Sequence, residues 1–478
     1  MSNQTLNLGV ESQLIESNLF KLDWESSLLF DDELDTSSSD RAIAAEASTE
    51  GFDLFTDSEG EISPLYSTSL AMNGNDRNVD DDRESQTPLD ETTESTDTGE
   101  TTEESDLLLT NSITVGDPDG TEFTFNFAEG TPQEVIDGVR EAGENWSAVL
   151  ADDVDVNIDF TFEPDDTELG LLGFNVSEYI PFSYTGVYEA LAEDVTSVND
   201  ETAVDNLAED NLDILINNTS ENNGSDTPYL DDNNGFNNSN VLLTRANAKA
   251  LGIGLEDLAE EFGVSVEEIV ELINSLYPEL ALDPNAADAT MNFSSNVNWD
   301  FDASDGISED AYDFVGVVTH EIGHALGFES SADALDFVAD PDLDLADAIN
   351  SPEIQELIAG TDAELFADAV GLDQFVSENE YLLRPLDFFR FTPESYEQDA
   401  VDFTTGNVDG KYFSLDGGET EIAPLSEGIE TGGDMQQLSH WEDGLNIGIM
   451  DPTGSPGESL EITNEDLIAF DAIGWDLA

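Results

Sequence analysis

The sequence predicts an α+β fold. Apolar residues recur at helical spacing after residue 131, and strictly alternating apolar and polar residues follow at 154–162. Both periodicities return several times further along the chain, without an internal repeat. Because both patterns run through one continuous stretch, we expect a single folded domain over residues 113–478.

Residues 1–112 have a different composition. The run QTPLDETTESTDTGETTEESD consists almost entirely of Thr, Ser, Glu and Asp, and such a segment cannot bury a core. We therefore expect an acidic, mostly disordered leader that ends in a linker rich in Thr, Glu and Ser. Apolar clusters at 20–24 and 52–55 interrupt the leader, and they suit short docking motifs, a prosegment or an export-related segment.

The first half of the predicted domain alternates between strands and helices. A capping box at Thr131, with proline at the first helical position, predicts a helix to about residue 149. Alternation predicts strands at 154–162, 212–216 and 290–301, and residues rich in Asn, Asp and Gly predict a loop at 217–240. A second capping box at Ser265 lies within helical sequence at 245–280.

The second half begins with a helix at about 310–326, followed by Gly327 at the position of a helix C-terminal glycine. An acidic stretch at 341–369 favours helix. Apolar runs predict strands at 385–391 and 412–415. The chain closes with a helix at 462–474, for which Thr463 and Asp466 form the cap.

The charge of the chain is strongly one-sided. There are 111 Asp and Glu residues against 10 Lys and Arg, for a formal net charge of −101. Such a surface repels nucleic acids and anionic membranes, so we expect neither as a partner. Its self-repulsion eases in concentrated salt or with bound divalent cations, which makes Ca²⁺ a candidate ligand.

Two absences bear on compartment and chemistry. The chain has no cysteine, which excludes disulfides and thiolate metal ligands. It has no apolar run long enough to span a membrane, and its first residues lack the pattern of a Sec signal. We expect an extracellular or cell-surface location reached by another export route, and a cytoplasmic location also fits.

The motif with the clearest chemistry is HEIGH, residues 320–324. It contains two of the three histidines in the chain, His320 and His324, on either side of Glu321. On a helix, residues four apart lie on the same face, with Cβ atoms roughly 5–6 Å apart. Two imidazoles at this spacing can bind one Zn²⁺, and Glu321 beside them can activate water.

A catalytic zinc needs a third protein ligand and an open position. His440 is the remaining histidine, and we expect it to be the third ligand. Glu364 is an alternative, since it could come from a second helix. Glu329 or Asp333, which lie just past Gly327, are further candidates.

Two blocks of the sequence resemble a known family. HEIGHALG, residues 320–327, resembles the metzincin zinc-protease signature, although Ser330 stands where that signature has a third histidine. The stretch SHWEDGLNIGIMDP, residues 439–452, resembles the leishmanolysin branch, in which an insertion separates the third histidine from the helix. The resemblance implies that His440 is the third ligand, that Met450 lies beneath the zinc, and that residues from about 329 to 435 are an insertion.

The resemblance also implies an architecture and an activity. A mixed sheet with helices would form the upper lobe, and an edge strand at 291–301 would bind extended peptide. An irregular lower lobe would hold His440 and Met450. The chain would then be a zinc-dependent endopeptidase acting on proteins or peptides, with Glu321 as general base. The alternatives are a zinc-binding surface protein without turnover and a gluzincin-type peptidase that uses Glu364.

Overall fold

The structure is a computed structural model that describes residues 52–57, 109–118, 120–164, 171–276, 282–338, 377–406, 408, 410–429, 433–434, 436–445 and 447–478. Its strands are β1 (Phe52–Asp57), β2 (Leu109–Gly116), β3 (Glu122–Ala128), β4 (Asp155–Glu163), β5 (Leu171–Ser177), β6 (Tyr179–Ser183), β7 (Ile214–Ile216), β8 (Tyr229–Asp231), β9 (Asn240–Thr244), β10 (Ala289–Ser294), β11 (Trp299–Asp300), β12 (Tyr312–Asp313), β13 (Arg390–Phe391), β14 (Val401–Phe403), β15 (Tyr412–Phe413), β16 (Ala423–Pro424) and β17 (Thr453–Gly454). Its α-helices are α1 (Gln133–Ser147), α2 (Tyr184–Glu193), α3 (Val198–Asn206), α4 (Phe236–Ser239), α5 (Arg245–Ala250), α6 (Leu255–Phe262), α7 (Val266–Leu276), α8 (Phe314–Ala325), α9 (Ala332–Val338), α10 (Pro393–Glu397) and α11 (Asn464–Ala472).

The main sheet of the described structure has seven strands and mixed directions. Its order is β17-β1-β5-β10-β4-β3-β2. Strands β3, β4 and β10 are parallel, whereas β5 runs antiparallel to β10, and β2 runs antiparallel to β3. Smaller sheets and helices surround it, so the predicted α+β class is confirmed.

The core forms where alternation along the strands places aromatic rings on one face of this sheet. Phe123, Phe125 and Phe127 of β3 are fully buried. Phe160 of β4 stacks on Phe293 of β10, with ring centroids 5.0 Å apart. Burying each ring contributes roughly 1.5–3 kcal/mol, so this face anchors the sheet to which α1 and α8 are attached.

The structure corrects the position of the predicted edge strand. Strand β10 covers 289–294 and is hydrogen-bonded on both sides, to β4 and to β5. A strand with both neighbours in place cannot accept an added peptide. Residues 299–300 leave this sheet and pair with 312–313 instead, so the predicted single strand at 290–301 is two strands in different sheets.

Three local predictions have different outcomes. The capping box at Ser265 is confirmed, because the Ser265 and Glu268 side chains each accept the other's backbone N–H. The box at Thr131 is wrong, since Pro132 is the N-cap and the Thr131 hydroxyl donates to the carbonyl of Ala128. The strand expected at 385–391 is mostly a 3₁₀ turn over 385–389, and Asp387 caps it.

Some predictions fall outside the described residues. These are the apolar cluster at 20–24, the acidic helix at 341–369 and the candidate ligand Glu364. Two parts of the predicted leader do appear in the structure. The cluster at 52–55 belongs to β1, and β2 begins at Leu109, four residues before the expected start of the domain.

The described part of the predicted insertion packs into the rest of the domain. Strand β14 pairs in parallel with β7, and the N–H of Leu242 donates to the carbonyl of Leu383 over 2.9 Å. Tyr184 and Phe388 meet edge to face, with ring centroids 5.3 Å apart. Among the described residues, none of the helices has the length and hydropathy to cross a bilayer.

Candidate metal centre

Helix α8 carries the HEIGH motif through the middle of the domain. Its N-cap is Asp313, whose side chain accepts the N–H of Gly316 over 2.9 Å. Gly327 follows its end with φ of 109°, a left-handed conformation that glycine adopts without strain. All 12 residues of the helix are buried, so its histidines and glutamate lie in the interior.

The structure brings His320, His324 and His440 together, as the sequence predicts. The Nε2 atom of His324 lies 2.9 Å from that of His320 and 3.2 Å from that of His440. The Nε2 atoms of His320 and His440 are 3.3 Å apart. All three side chains are fully buried, and together they form a group that could hold a metal ion.

The other ring nitrogen of each histidine faces a backbone carbonyl. Nδ1 of His320 lies 2.6 Å from the oxygen of Ile449, and Nδ1 of His324 lies 2.8 Å from that of Phe328. Nδ1 of His440 lies 3.3 Å from the carbonyl of its neighbour at 437. Because a carbonyl only accepts, each Nδ1 carries the proton, and each neutral Nε2 presents a lone pair.

Burial keeps the three rings in this neutral state. It lowers the pKa of His320 to about 3 and the pKa values of His324 and His440 well below their usual range. Three lone pairs that converge without a proton repel one another, and a cation between them removes that repulsion. Tetrahedral zinc with Zn–N bonds near 2.0–2.1 Å holds its nitrogens about 3.3 Å apart. The two distances to His440, 3.2 and 3.3 Å, match this value, and the 2.9 Å between His320 and His324 is shorter.

Glu321 follows His320 in α8 and is fully buried. Neither of its carboxylate oxygens has a hydrogen-bond partner within the described part of the chain. Desolvation raises the pKa of Glu321 well above its usual range, and a divalent cation nearby would oppose that shift. A buried carboxylate without a partner, on the helix that carries two of the three imidazoles, is a candidate general base.

The nearby alternatives for the third ligand have other partners. The carboxylate of Glu329 lies 3.3 Å from the guanidinium of Arg384 and accepts hydrogen bonds from Tyr179 and Ser177. Asp333 accepts the N–H of Leu438 and the hydroxyl of Ser439. Neither carboxylate belongs to the histidine cluster.

Ser330 occupies the position where the metzincin signature has a histidine. It lies beside the segment that contains His440. Its backbone N–H donates to the hydroxyl of Ser439 over 2.9 Å, and its hydroxyl donates to Asp387 over 2.6 Å. The residue after Ser439 is His440, 116 residues beyond His324. The third imidazole of the cluster therefore comes from a distant segment, which is hydrogen-bonded to the chain just past the end of α8.

The buried side chain of Arg390 holds the segment that precedes His440. Its guanidinium donates to the carbonyls of Leu438 and Ser426, each over 3.0 Å, and it is 1% exposed. The N–H of Ser426 in turn donates to the carbonyl of His440 over 3.0 Å. A buried arginine thus joins the segment that leads into His440 to the neighbouring segment at Ser426, which is itself hydrogen-bonded to His440.

Asp466 of α11 fastens the segment that contains Met450. Its carboxylate accepts the indole N–H of Trp441 over 2.9 Å and the backbone N–H groups of Ile449 and Met450 over 2.8 and 3.3 Å. It also accepts the N–H of Thr463 over 2.7 Å, as the predicted cap requires. One buried carboxylate therefore sets the conformation after His440.

Met450 is fully buried against α8 at the glycine of HEIGH. A Cβ added at Gly323 would lie 2.4 Å from the sulfur of Met450, so only glycine permits this contact. The structure therefore places Met450 on the helix between the two motif histidines. Its carbonyl accepts the N–H of Trp441 over 3.0 Å, which closes the turn.

The sequence did not predict the contacts that Arg390 and Glu329 make around the cluster. For Asp466 it predicted the helix cap but not the bonds to the segment after His440. One signal was available for the arginine, because cations are scarce and this one lies inside an apolar run. A cation kept among apolar residues in so acidic a chain favours a buried structural role.

Comparisons with known proteins leave the family undecided. No protein-family model, no curated protein and no solved structure matches this chain. The chemistry of the centre therefore has to be argued from its own residues.

Proposed function

We propose that this chain is a zinc-dependent endopeptidase of the metzincin type, with the distant third ligand of the leishmanolysin branch. The observation that supports it best is the convergence of His320, His324 and His440 beside the unpartnered carboxylate of Glu321. Met450 against Gly323 and the mixed sheet packed on α8 are consistent with the two lobes of such an enzyme.

The proposed reaction divides its work between the ligands and the glutamate. Zinc bound to the three Nε2 atoms would supply Lewis acidity toward water and the scissile carbonyl. Glu321 takes a proton from the attacking water at a carboxylate oxygen and delivers it to the leaving amine. The carbonyls of Ile449 and Phe328 keep His320 and His324 in the ligating tautomer.

The test separates metal binding from turnover. Purified chain should contain one zinc by mass spectrometry and cleave a quenched fluorescent casein at a salt concentration where it is folded. Glu321→Gln should keep the zinc and lower kcat roughly 10²–10⁴-fold. Glu256→Gln, an exposed change of the same chemistry, should leave kcat unchanged. Full activity of Glu321→Gln would contradict the proposal.

A parallel pair of variants identifies the third ligand. His440→Ala should lose stoichiometric zinc, whereas Glu364→Ala should keep it. The reverse result would favour the gluzincin-type alternative. Zinc retained by both variants would leave the third ligand among groups that are not in the cluster, and the long-range assignment would fail.

The second candidate function is a zinc-binding protein without turnover. The complete burial of all three histidines and Glu321 favours it, because a peptide must reach a catalytic centre. Wild-type chain that binds zinc but cleaves no unfolded protein at any salt concentration would support this function.

A further inference from the structure

Five aspartates form a cluster where α3 packs against α11. Asp194 is repelled by each of the other four members, which are Asp152, Asp200, Asp471 and Asp476. Asp200 belongs to α3 and Asp471 to α11, and these two helices contact each other. Within the described part of the chain, none of the five carboxylates forms an ion pair with a basic side chain. This aspartate cluster therefore concentrates negative charge without a protein cation to balance it.

Burial makes the charge of the aspartate cluster costly. It raises the pKa of Asp152 to about 7, the pKa of Asp194 to about 8 and the pKa of Asp471 to about 6. Repulsion from neighbouring aspartates adds to each of these pKa shifts. Such groups take up protons or bind a cation, because either event removes like charge from a poorly solvated place.

Two of these carboxylates also have an oxygen that no donor reaches. Asp471 is 2% exposed and Asp200 is 8% exposed, and the Oδ1 atom of each is buried without a hydrogen-bond partner. Their Oδ2 atoms are occupied, since that of Asp471 accepts from Ser197 and Asn199 over 2.7 and 2.8 Å. Oδ2 of Asp200 accepts the N–H of Ser197 over 2.9 Å. A buried acceptor left unpaired carries its full desolvation cost, so the two Oδ1 atoms need a partner from outside the chain.

The two carboxylates lie at hydrogen-bonding distance from each other, which limits what that partner can be. An ionised carboxylate only accepts, so neither can satisfy the other without an added charge. A proton shared between Asp200 and Asp471 removes one of the five negative charges. A divalent cation between them removes two and is also attracted by the three that remain. Ca²⁺ suits this place because it prefers oxygen ligands, tolerates irregular geometry and completes its coordination with water.

We propose that Asp200 and Asp471 are ligands of a Ca²⁺ ion that binds between α3 and α11, inside the aspartate cluster. The other three aspartates surround the ion with negative charge. The ion ties α11 to α3, and α11 also carries Asp466, which holds the segment after the third histidine. This site does not depend on the proposed peptidase function, since its tests measure binding and stability and need no turnover.

The first experiment follows thermal unfolding of the full chain at pH 8. About 1 M NaCl screens the diffuse attraction of cations to the acidic surface. A further 10 mM CaCl₂, about 100 times a Kd near 10⁻⁴ M, should raise the melting temperature of wild type by roughly 3–8 °C. Extra NaCl of the same ionic strength is the control and should not raise it. An equal rise with NaCl would overturn the proposal.

Asp471→Asn separates a cation site from simple relief of repulsion. Without Ca²⁺ the variant removes a repelled, buried charge and should melt higher than wild type, whereas in CaCl₂ it lacks a ligand and should melt lower. Asp153→Asn, an exposed neighbour of the cluster, is the matched control and should keep the wild-type response to Ca²⁺. If Asp471→Asn melts higher by the same amount in both conditions, the pair shares a proton and the Ca²⁺ site is wrong.

Equilibrium dialysis with ⁴⁵Ca²⁺ in the same NaCl counts the ion directly. Wild type should bind one more Ca²⁺ per chain, with a Kd below about 1 mM, than the double variant Asp200→Asn with Asp471→Asn. Asp471→Asn alone keeps an oxygen that can accept from Ser197 and Asn199, so it should lose the same ion even if the double variant misfolds. Equal binding by wild type and Asp471→Asn would overturn the proposal.

Discussion

The two halves of the candidate metal centre are held in place by different kinds of contact. The upstream half is one helix, where i, i+4 spacing alone puts His320 and His324 on the same face. The downstream half, from His440 to Met450, forms no helix or strand among its described residues. It is held by Arg390 and Asp466, whose side chains bond to backbone groups on both sides of His440.

The difference shows which half depends on the rest of the domain. Helix hydrogen bonds fix the upstream pair over five residues. His440 depends on two buried charged side chains, one 50 residues before it in the chain and one 26 residues after it. Changes in these supports should disturb His440 and Met450 while the upstream pair keeps its geometry, and the following predictions test that comparison from the largest effect to the smallest.

Asp466→Ala should have the largest effect, because it removes the acceptor of five hydrogen bonds from a buried site. We expect a loss of about 3–5 kcal/mol in the free energy of unfolding, and weaker zinc binding by at least tenfold. Urea denaturation and zinc titration measure both. Glu461→Ala, an exposed neighbour, should change neither, and unaltered zinc affinity in Asp466→Ala would remove the contrast between the halves.

Arg390→Met should follow, since it leaves the buried carbonyls of Leu438 and Ser426 without these donors. The expected cost is about 2–4 kcal/mol, with zinc affinity reduced roughly tenfold. The control is Arg140→Met, which removes the same charge from a half-buried helix position. If both variants lose equal stability, the effect of Arg390 comes from charge and not from its position.

Gly323→Ala tests the contact between the two halves. Alanine favours helix by up to about 1 kcal/mol, but its Cβ would collide with the sulfur of Met450, and overpacking costs roughly 1–3 kcal/mol. We expect net destabilisation in thermal unfolding. The double variant with Met450→Ala should recover part of it, and strictly additive effects would show that the two residues do not press on each other.

Asp194→Asn should give the smallest effect and serves as a reference away from the metal centre. Burial and the nearby Asp476 and Asp152 raise the pKa of Asp194 from 3.8 to about 8. The folded state therefore holds this proton more tightly, and its stability falls as the pH rises from about 4 to about 8. The variant should melt roughly 2 °C higher at pH 8 and unchanged at pH 4.

Salt provides the check on that last prediction. At 1 M salt the Debye length falls to about 3 Å, which screens the repulsion between the half-buried Asp194 and Asp476. The gain from Asp194→Asn at pH 8 should therefore shrink in high salt, while the costs of Asp466→Ala and Arg390→Met persist. A gain that does not depend on pH would contradict the assignment to proton binding.

Much of the fold could be predicted because its signals are local. Alternation in β4, the Ser265 capping box and the HEIGH helix each depend on neighbours within a few residues. The central position of β10 could not be predicted, since a strand's neighbours are chosen by pairing with distant segments. The prediction of a strand at 385–391 was wrong for a related reason. The buried Asp387 caps a 3₁₀ turn at 385–389, and this contact outweighs the apolar pattern there.

By itself, the sequence determined the α+β class, the helix with its two histidines and glutamate, and the candidacy of His440 as the remaining histidine. Only the tertiary structure decided that His440 reaches the other two, that Glu329 pairs with Arg384 instead, and that leader residues form β1. The physical reason is the sequence separation over which each interaction acts. Helical periodicity acts within one turn, whereas convergence across 116 residues depends on buried hydrogen bonds that exist only in the folded chain.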